Sequence, residues 1–190
     1  MKKNLITAFL MTIATTILLG IIYPLVVTGL AQLLFHDKAN GQLIARNGEV
    51  IGSRLIAQGF TSAKYFHPRP SGAGNGYDPT NSNGSQLAST NRKLIDRVRS
   101  DAATLHQENP SQLIPVDLLT MSASGLDPEI SPAAAEFQIP RVAHERGLSE
   151  SVVRGLVQKH TAQRDLGLLG EPRVNVLELN LALDDLAVQH

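Results

Sequence analysis

The sequence predicts an α+β chain: a single N-terminal transmembrane helix, then one mixed, helix-rich soluble domain with a short β-hairpin or sheet. Three observations carry that reading. Residues Leu5 to Phe35 contain no charged side chain. An Asn47-Gly48 pair stands between two short apolar runs. Beyond it, apolar residues recur at three- and four-residue steps in several separate stretches, which is the spacing of amphipathic helices.

The uncharged run comes first. A bilayer core is about 30 Å thick, and roughly 20 apolar residues cross it as a helix. The run exceeds that length, so it can tilt or leave the membrane as an apolar neck. Its length also exceeds the apolar core of a secretory signal peptide, despite the small residues Gly29 and Ala31 near its end. The expected organisation is a cytoplasmic N-terminus over residues 1–4, a transmembrane helix and neck over 5–35, and a soluble domain over 36–190. Lys2 and Lys3 precede the span, whereas Asp37 and Lys38 nearly cancel after it. Positive charge stays in the cytoplasm, so the domain is expected outside, in a periplasm or on a cell surface. Ala8, Thr12, Thr16, Gly20, Pro24 and Thr28 recur every four residues. Small residues at this spacing let a second helix approach, and Ala8, Thr12, Thr16 and Gly20 are the candidate partner-packing positions. Such residues are also common in membrane helices that pack on nothing. Pro24 is expected to kink the helix.

Composition narrows the function. All 17 acidic residues and all but two of the 17 basic ones lie beyond the span, and the formal net charge is zero. That balance leaves no footprint for nucleic acid. With no cysteine in the chain, disulfides, thiol catalysis and Cys-ligated zinc are excluded. Leu, Val, Ile and Ala must build the core, because there is no Trp and aromatics are few.

The domain then reads in order. Asn47-Gly48 predicts a hairpin of strands 42–46 and 49–55, since both turn residues need positive φ. Residues 59–91 hold three prolines and several glycines with no periodicity. Tyr65, Phe66, His67 and Tyr77 argue for an ordered, irregular contact loop rather than disorder. A helix is expected over 89–107, with Leu94, Ile95, Val98, Ala102 and Leu105 inward. PVDLLT, residues 115–120, reads as a strand. Ser131-Pro132 opens a helix that Pro140 should distort and Gly147 should end. Ser149 caps the next helix, with Val152, Val153, Leu156 and Val157 inward. Asn175 and Glu178 have the form of a capping box for a helix over 175–188. Its stripe is Val176, Leu179, Leu183 and Leu186, although 174–181 could pass as a strand.

No phosphate loop, dinucleotide fingerprint, HExxH, GxSxG or calcium loop is present. The six histidines, His36, His67, His106, His144, His160 and His190, show no paired ligand spacing. Asp117, Asp127 and Glu129 could form an acid/base pair near a loop, though such residues more often cap turns and helix starts.

Five stretches carry a resemblance: GSRLIAQ at 52–58, YFHPRPS at 65–71, PVDLLTMSASGLDPEISP at 115–132, RVAHERGLSESVVRGLVQKHT at 141–161 and LGEPRVNVLELNLAL at 169–183. With the single N-terminal span, they resemble the C subunit family of the Kdp potassium-transporting ATPase, in order and over essentially the whole chain. The resemblance implies an accessory subunit of a bacterial complex for high-affinity potassium uptake, not catalytic alone. The implied partners are a channel-like potassium-binding subunit, a P-type ATPase subunit and a very small hydrophobic subunit, within membrane lipid. Potassium is the ion such a complex transports. The family's C subunit is described as a catalytic chaperone that raises the ATPase subunit's affinity for ATP. The chain has no DKTG phosphorylation sequence, as the resemblance implies.

In that family a serine/glycine segment carries the nucleotide role, and the matching residues here are Asn81 to Gln86. Ser82, Gly84, Ser85 and Gln86 are therefore candidate nucleotide-binding residues by resemblance. Where the family usually shows two glycines this chain has Asn83-Gly84, and where Gly-Pro follows it has Ala88-Ser89. An external loop also cannot meet cytosolic ATP, so the topology and the nucleotide role conflict. The alternatives are a direct ATP-binding co-chaperone through residues 81–86, and a membrane-tethered periplasmic enzyme using His67 or the Asp117/Asp127 carboxylates. No tightly bound cofactor is expected.

Overall fold

The computed structural model describes residues 1–188, with side chains through Leu186. It divides into two compact units, the first Met1–Ile51 and the second from Gly52 onward. His190 lies outside the described residues.

The first unit is dominated by a continuous helix, Lys2–Leu34, of 33 residues. At 1.5 Å per residue it is about 50 Å long, more than a bilayer core needs. It comprises α1 (Lys2–Ile17), a π-turn (Leu18–Ile22) and α2 (Tyr23–Leu34). The π-turn is the response to Pro24. Proline has no N–H to return to the Gly20 carbonyl, and its ring crowds that turn. The backbone widens by one residue instead of breaking, and the Tyr23 N–H bonds back to the Leu18 carbonyl. A one-turn helix, α3 (His36–Ala39), follows. The predicted hairpin is present as β1 (Leu43–Arg46) and β2 (Glu49–Ser53). Asn47 and Gly48 have φ of 53° and 83°, the two positive values that make this turn match the twist of its strands.

The second unit is built on three helices. In α5 (Pro132–Arg146), Ser131 caps the start by accepting from the Ala134 N–H, and Gly147 ends it in the left-handed region. The helix continues through Pro140 without interruption. In α6 (Glu150–Lys159), Ser149 accepts from the Val152 N–H. In α7 (Val176–Val188), Asn175 accepts from the Glu178 N–H. The other half of the expected capping box is absent, because the Glu178 carboxylate pairs with Arg54 at 2.7 Å. Phe137, Ile139, Val142, Val153, Val157, Leu179 and Leu183 are all buried in one core. Val152 was expected inward but is 47 % exposed; it falls between the Val153 and Val157 positions and the solvent face.

A small antiparallel sheet in the order β3-β5-β4 joins β3 (Glu129–Ile130), β5 (Arg173–Asn175) and β4 (Thr161–Ala162). Its strands are two or three residues long, too short to leave a period-2 pattern. The predicted strand over 115–120 is absent: Val116–Leu118 is a single 3-10 turn. The Asp117 carboxylate there accepts from both the backbone N–H and the hydroxyl of Ser131, at 2.8 and 3.2 Å. That pull at the head of α5 favours a turn over an extended chain. Helix α4 (Arg92–Glu108) starts three residues later than the spacing suggested, where the Asn91 side chain caps it by accepting from the Lys93 N–H. Its apolar face is only half-buried.

Candidate functional site

Residues 54–91 carry neither helix nor strand, yet they are ordered by side chains from the helices beneath them. Two buried amides hold the YFHPRPS stretch as a neighbouring strand would. The Asn180 side chain accepts from the Phe66 N–H at 2.8 Å and donates to the Phe66 carbonyl at 2.9 Å. Gln138 does the same for His67, at 2.8 and 3.1 Å. Phe66 itself is fully buried. Arg141 donates to the carbonyls of Ala63 and Tyr65 and pairs with Glu108 at 2.7 Å. Arg146 reaches the Lys64 carbonyl and Asp184, and stacks over the Tyr65 ring at 4.9 Å. The amides and arginines sit on α5 and α7 at positions to which the sequence pattern gives no role. Buried Gln138 and Asn180 among apolar neighbours were the available signal, since such groups need partners.

Downstream, Ser71 is a second hub. Its hydroxyl donates to the Gly125 carbonyl at 2.6 Å and accepts from the N–H groups of Ala73 and Tyr77. The Tyr77 hydroxyl donates to the Arg69 carbonyl at 2.8 Å, and burial raises its pKa to about 12. Arg69 pairs with Asp127 at 3.0 Å.

Residues 81–86 lie against the turn 122–125. The Asn83 N–H and the Ser82 hydroxyl both donate to the Ser124 carbonyl, each at 2.9 Å. Gly84 faces carbonyl oxygens: a Cβ there would stand 2.9 Å from that of Ala123 and 3.3 Å from that of Ser122. Gly125 closes the contact with φ of 68°, and a Cβ on it would meet the Asn83 carbonyl oxygen at 2.4 Å. Ser85 is half-buried, and the exposed Gln86 donates to Asn83 at 2.6 Å. Between Ser71 and Asn91 the one charged side chain is Asp78. Nothing on this segment neutralises a phosphate, and the oxygens facing Gly84 would repel one.

The three carboxylates considered for acid/base work share one cleft, and His67 lies apart from them. Asp117, Asp127 and Glu129 line one open cleft of about 490 Å³. Asp117 is engaged with Ser131, and Asp127 with Arg69 and the Glu129 N–H. Glu129 pairs with Arg173, while burial, ahead of that pairing, raises its carboxyl above the usual range. His67 lines a different pocket, beside Phe60, Tyr77 and Glu108. Its imidazole lies 3.2 Å from the Ser62 carbonyl, and burial, then Arg141, lowers its pKa. Among the described residues, no group of three or more His, Asp or Glu side chains could hold a metal ion.

On the long helix, Ala8, Thr12, Thr16 and Gly20 are all exposed. Thr12 turns its hydroxyl back to the Ala8 carbonyl at 2.9 Å. The atom nearest to a Cβ built at Gly20 is the Thr16 methyl, at 3.9 Å. The stripe therefore presents methyl groups and bare backbone rather than free hydroxyl donors at Thr12.

Comparison with known proteins gives one answer. The profile of the KdpC family, described as K+-transporting ATPase, c chain, matches residues 5–185. A potassium-transporting ATPase KdpC subunit of Koribacter versatilis is 62% identical over 184 residues, covering 97% of this chain and 95% of that one. The subunit of the same name from Acidobacterium capsulatum is 55% identical, covering 97% and 99%. That from Mycobacterium tuberculosis is 52% identical over 189 residues, covering 98% and 100%. The chain belongs to the KdpC family, the c chains of K+-transporting ATPases.

Proposed function

We propose that the chain is the accessory, non-phosphorylated subunit of a high-affinity, ATP-driven potassium uptake complex, and that it works as a membrane-anchored docking subunit. Its single helix spans the bacterial inner membrane with the N-terminus in the cytoplasm. Its domain lies in the periplasm and caps the outer mouth of the potassium pathway. The partners are a channel-like potassium-binding subunit, a P-type ATPase subunit and a very small hydrophobic subunit. The face marked by Ala8, Thr12, Thr16 and Gly20 packs on a partner helix. Any rise in the ATPase subunit's affinity for ATP travels through the membrane helices, and ATP is not contacted by residues 81–86.

The observation that supports this reading is how the candidate chemical groups are used. Asp117 braces a helix start, Asp127 holds Arg69, and Gln86 and Ser82 hold their own loop. Such a segment is a rigid surface, not a catalytic centre or a phosphate cradle.

The test is co-purification of the complex from cells expressing all subunits. Gly20→Leu is expected to reduce recovery of this subunit with its partners, because the leucine fills the close-approach position. Deleting the chain is expected to abolish assembly or potassium uptake. Intact assembly with normal uptake after deletion would overturn the proposal. Photolabelling of the chain by an ATP analogue, lost in Gln86→Ala, would establish the direct nucleotide-binding alternative instead.

A further inference from the structure

Asparagine followed by glycine is chemically labile, because no side chain on the glycine shields its backbone nitrogen from the neighbouring amide. The sequence holds four such pairs: Asn40-Gly41, Asn47-Gly48, Asn75-Gly76 and Asn83-Gly84. The fold treats them unequally. The Asn40 amide donates to the Gln32 side chain at 3.1 Å and to the His36 carbonyl at 2.7 Å, and the Gly41 N–H donates to the Lys38 carbonyl. The Gly76 N–H is held by the Ala73 carbonyl at 2.8 Å. Asn83 is half-buried, with its N–H on the Ser124 carbonyl and its side-chain oxygen accepting from Gln86 at 2.6 Å. At Asn47-Gly48 both residues are exposed, and among the described residues neither the Asn47 side chain nor the Gly48 N–H has a hydrogen-bond partner. The pair closes a sheet of β1 and β2 alone, in which no residue before Ser53 is fully buried. Two strands by themselves are marginal in water, so this turn opens readily. Opening matters because the closed turn fixes the Asn47 main chain, and the side-chain carbon must swing onto the Gly48 nitrogen.

We propose that Asn47 is a site of spontaneous covalent modification, deamidation through a cyclic imide, and that the folded chain undergoes it there first. The only co-reactant is water. The Gly48 nitrogen forms a bond to the Asn47 Cγ and gives up its proton. The Cγ–Nδ2 bond breaks, and ammonia leaves with that proton. The product is a five-membered imide spanning the two residues. Water then adds to one of its two carbonyl carbons. Addition at Cγ breaks the new bond and leaves an aspartate in an ordinary chain. Addition at the main-chain carbon breaks the original peptide bond and leaves an isoaspartate, whose main chain runs through Cβ and Cγ. Nothing is oxidised or reduced: an amide and water become a carboxylate and ammonium. Either product puts a negative charge beside Glu49, and the isoaspartate lengthens the turn by one carbon. A two-residue turn sets the register of its strands, so the isoaspartate unpairs β1 from β2.

The full chain in detergent is incubated at neutral pH in water enriched in heavy oxygen, then digested with trypsin in ordinary, mildly acidic water. Cleavage after Lys38, Arg46 and Arg54 places Asn40 and Asn47 in separate peptides, and fragmentation separates Asn75 from Asn83. Each event during the incubation leaves one heavy oxygen, which distinguishes it from earlier modification and from modification during digestion. The expected result is incorporation at 47 at least about tenfold faster than at the other three, with isoaspartate among the products. Backbone hydrogen exchange across β1 and β2 is expected to quicken as the chain ages. In urea the rates at 47, 75 and 83 are expected to converge. Asn47→Gly keeps a residue that suits the turn; it is expected to abolish the label in that peptide and to leave hairpin exchange unchanged on ageing. Equal rates in the folded chain, or faster incorporation at 40, 75 or 83, overturn the proposal. So does a lead at 47 that persists in urea, because flanking sequence rather than the fold would then set it.

Discussion

Asn180→Ala tests whether a side-chain amide takes the place of a strand partner for the irregular lobe. Asn180 is 1 % exposed and makes two hydrogen bonds to Phe66, at 2.8 and 2.9 Å. Truncation leaves a buried N–H and a buried carbonyl without partners, at about 1–3 kcal/mol each. Alanine is the better helix former, which returns about 0.5 kcal/mol. The net loss is about 3 kcal/mol, with a span of about 2 to 5. For a unit of this size that corresponds to a drop in Tm of roughly 10 °C. The assay is thermal unfolding of the full chain in detergent, paired with hydrogen exchange at the Phe66 amide. The wild-type amide is expected to be protected and the variant amide to exchange rapidly. A Tm within about 2 °C of wild type, where the stated range of losses predicts several degrees more, would refute the reasoning. So would retained protection at Phe66.

Three further outcomes follow from the same structure. His67→Gln should flatten the acid side of the stability profile. Burial lowers the His67 pKa in the folded chain, so the unfolded chain binds more protons below about pH 6.5. Wild-type stability is then full above that pH and declines as pH falls toward the folded value, and denaturant titrations at several pH values read the difference between the two chains. Gly125→Ala should free residues 81–86 from the turn beneath them, because a Cβ would sit 2.4 Å from the Asn83 carbonyl oxygen on a residue with φ of 68°. Limited proteolysis within 81–91 should accelerate, and unchanged cleavage would argue that the contact is dispensable. Ser131→Ala removes the α5 cap and a partner of Asp117, and should destabilise by about 1–2 kcal/mol, measured as a shift in denaturant midpoint at constant slope.

What could be read from the sequence follows how local each signal is. The span, the Asn47-Gly48 turn, the Ser131 and Ser149 caps and the Gly147 stop were legible because each is written in a few consecutive residues. The 115–120 stretch misled because its apolar pair, Leu118 and Leu119, looks extended until Asp117 finds Ser131 fourteen residues away. Strands β3 and β4 were invisible, and β5 was touched only by the alternative strand over 174–181, for a related reason: each is two or three residues long and exists only through partners distant in sequence. Residues 59–91 were recognised as ordered and irregular, but what orders them was not. Gln138, Asn180, Arg141 and Arg146 read as ordinary helix residues, and their role appears only when the fold brings α5 and α7 beneath the lobe. Gly84 was a candidate nucleotide-binding residue by resemblance alone, and the carbonyls of Ser122 and Ala123 that lie against it come from a turn nearly forty residues away.

The most direct test of the central claim is the location of the domain. One cysteine at the exposed Ser89, in a chain that otherwise has none, is offered a membrane-impermeant maleimide in intact cells whose outer membrane has been permeabilised. Labelling in intact cells is the predicted result; it places the lobe outside and requires any effect on ATP use to pass through the membrane helices. Protection in intact cells, with labelling once the inner membrane is broken, would contradict the account and place residues 81–86 on the side where ATP is found.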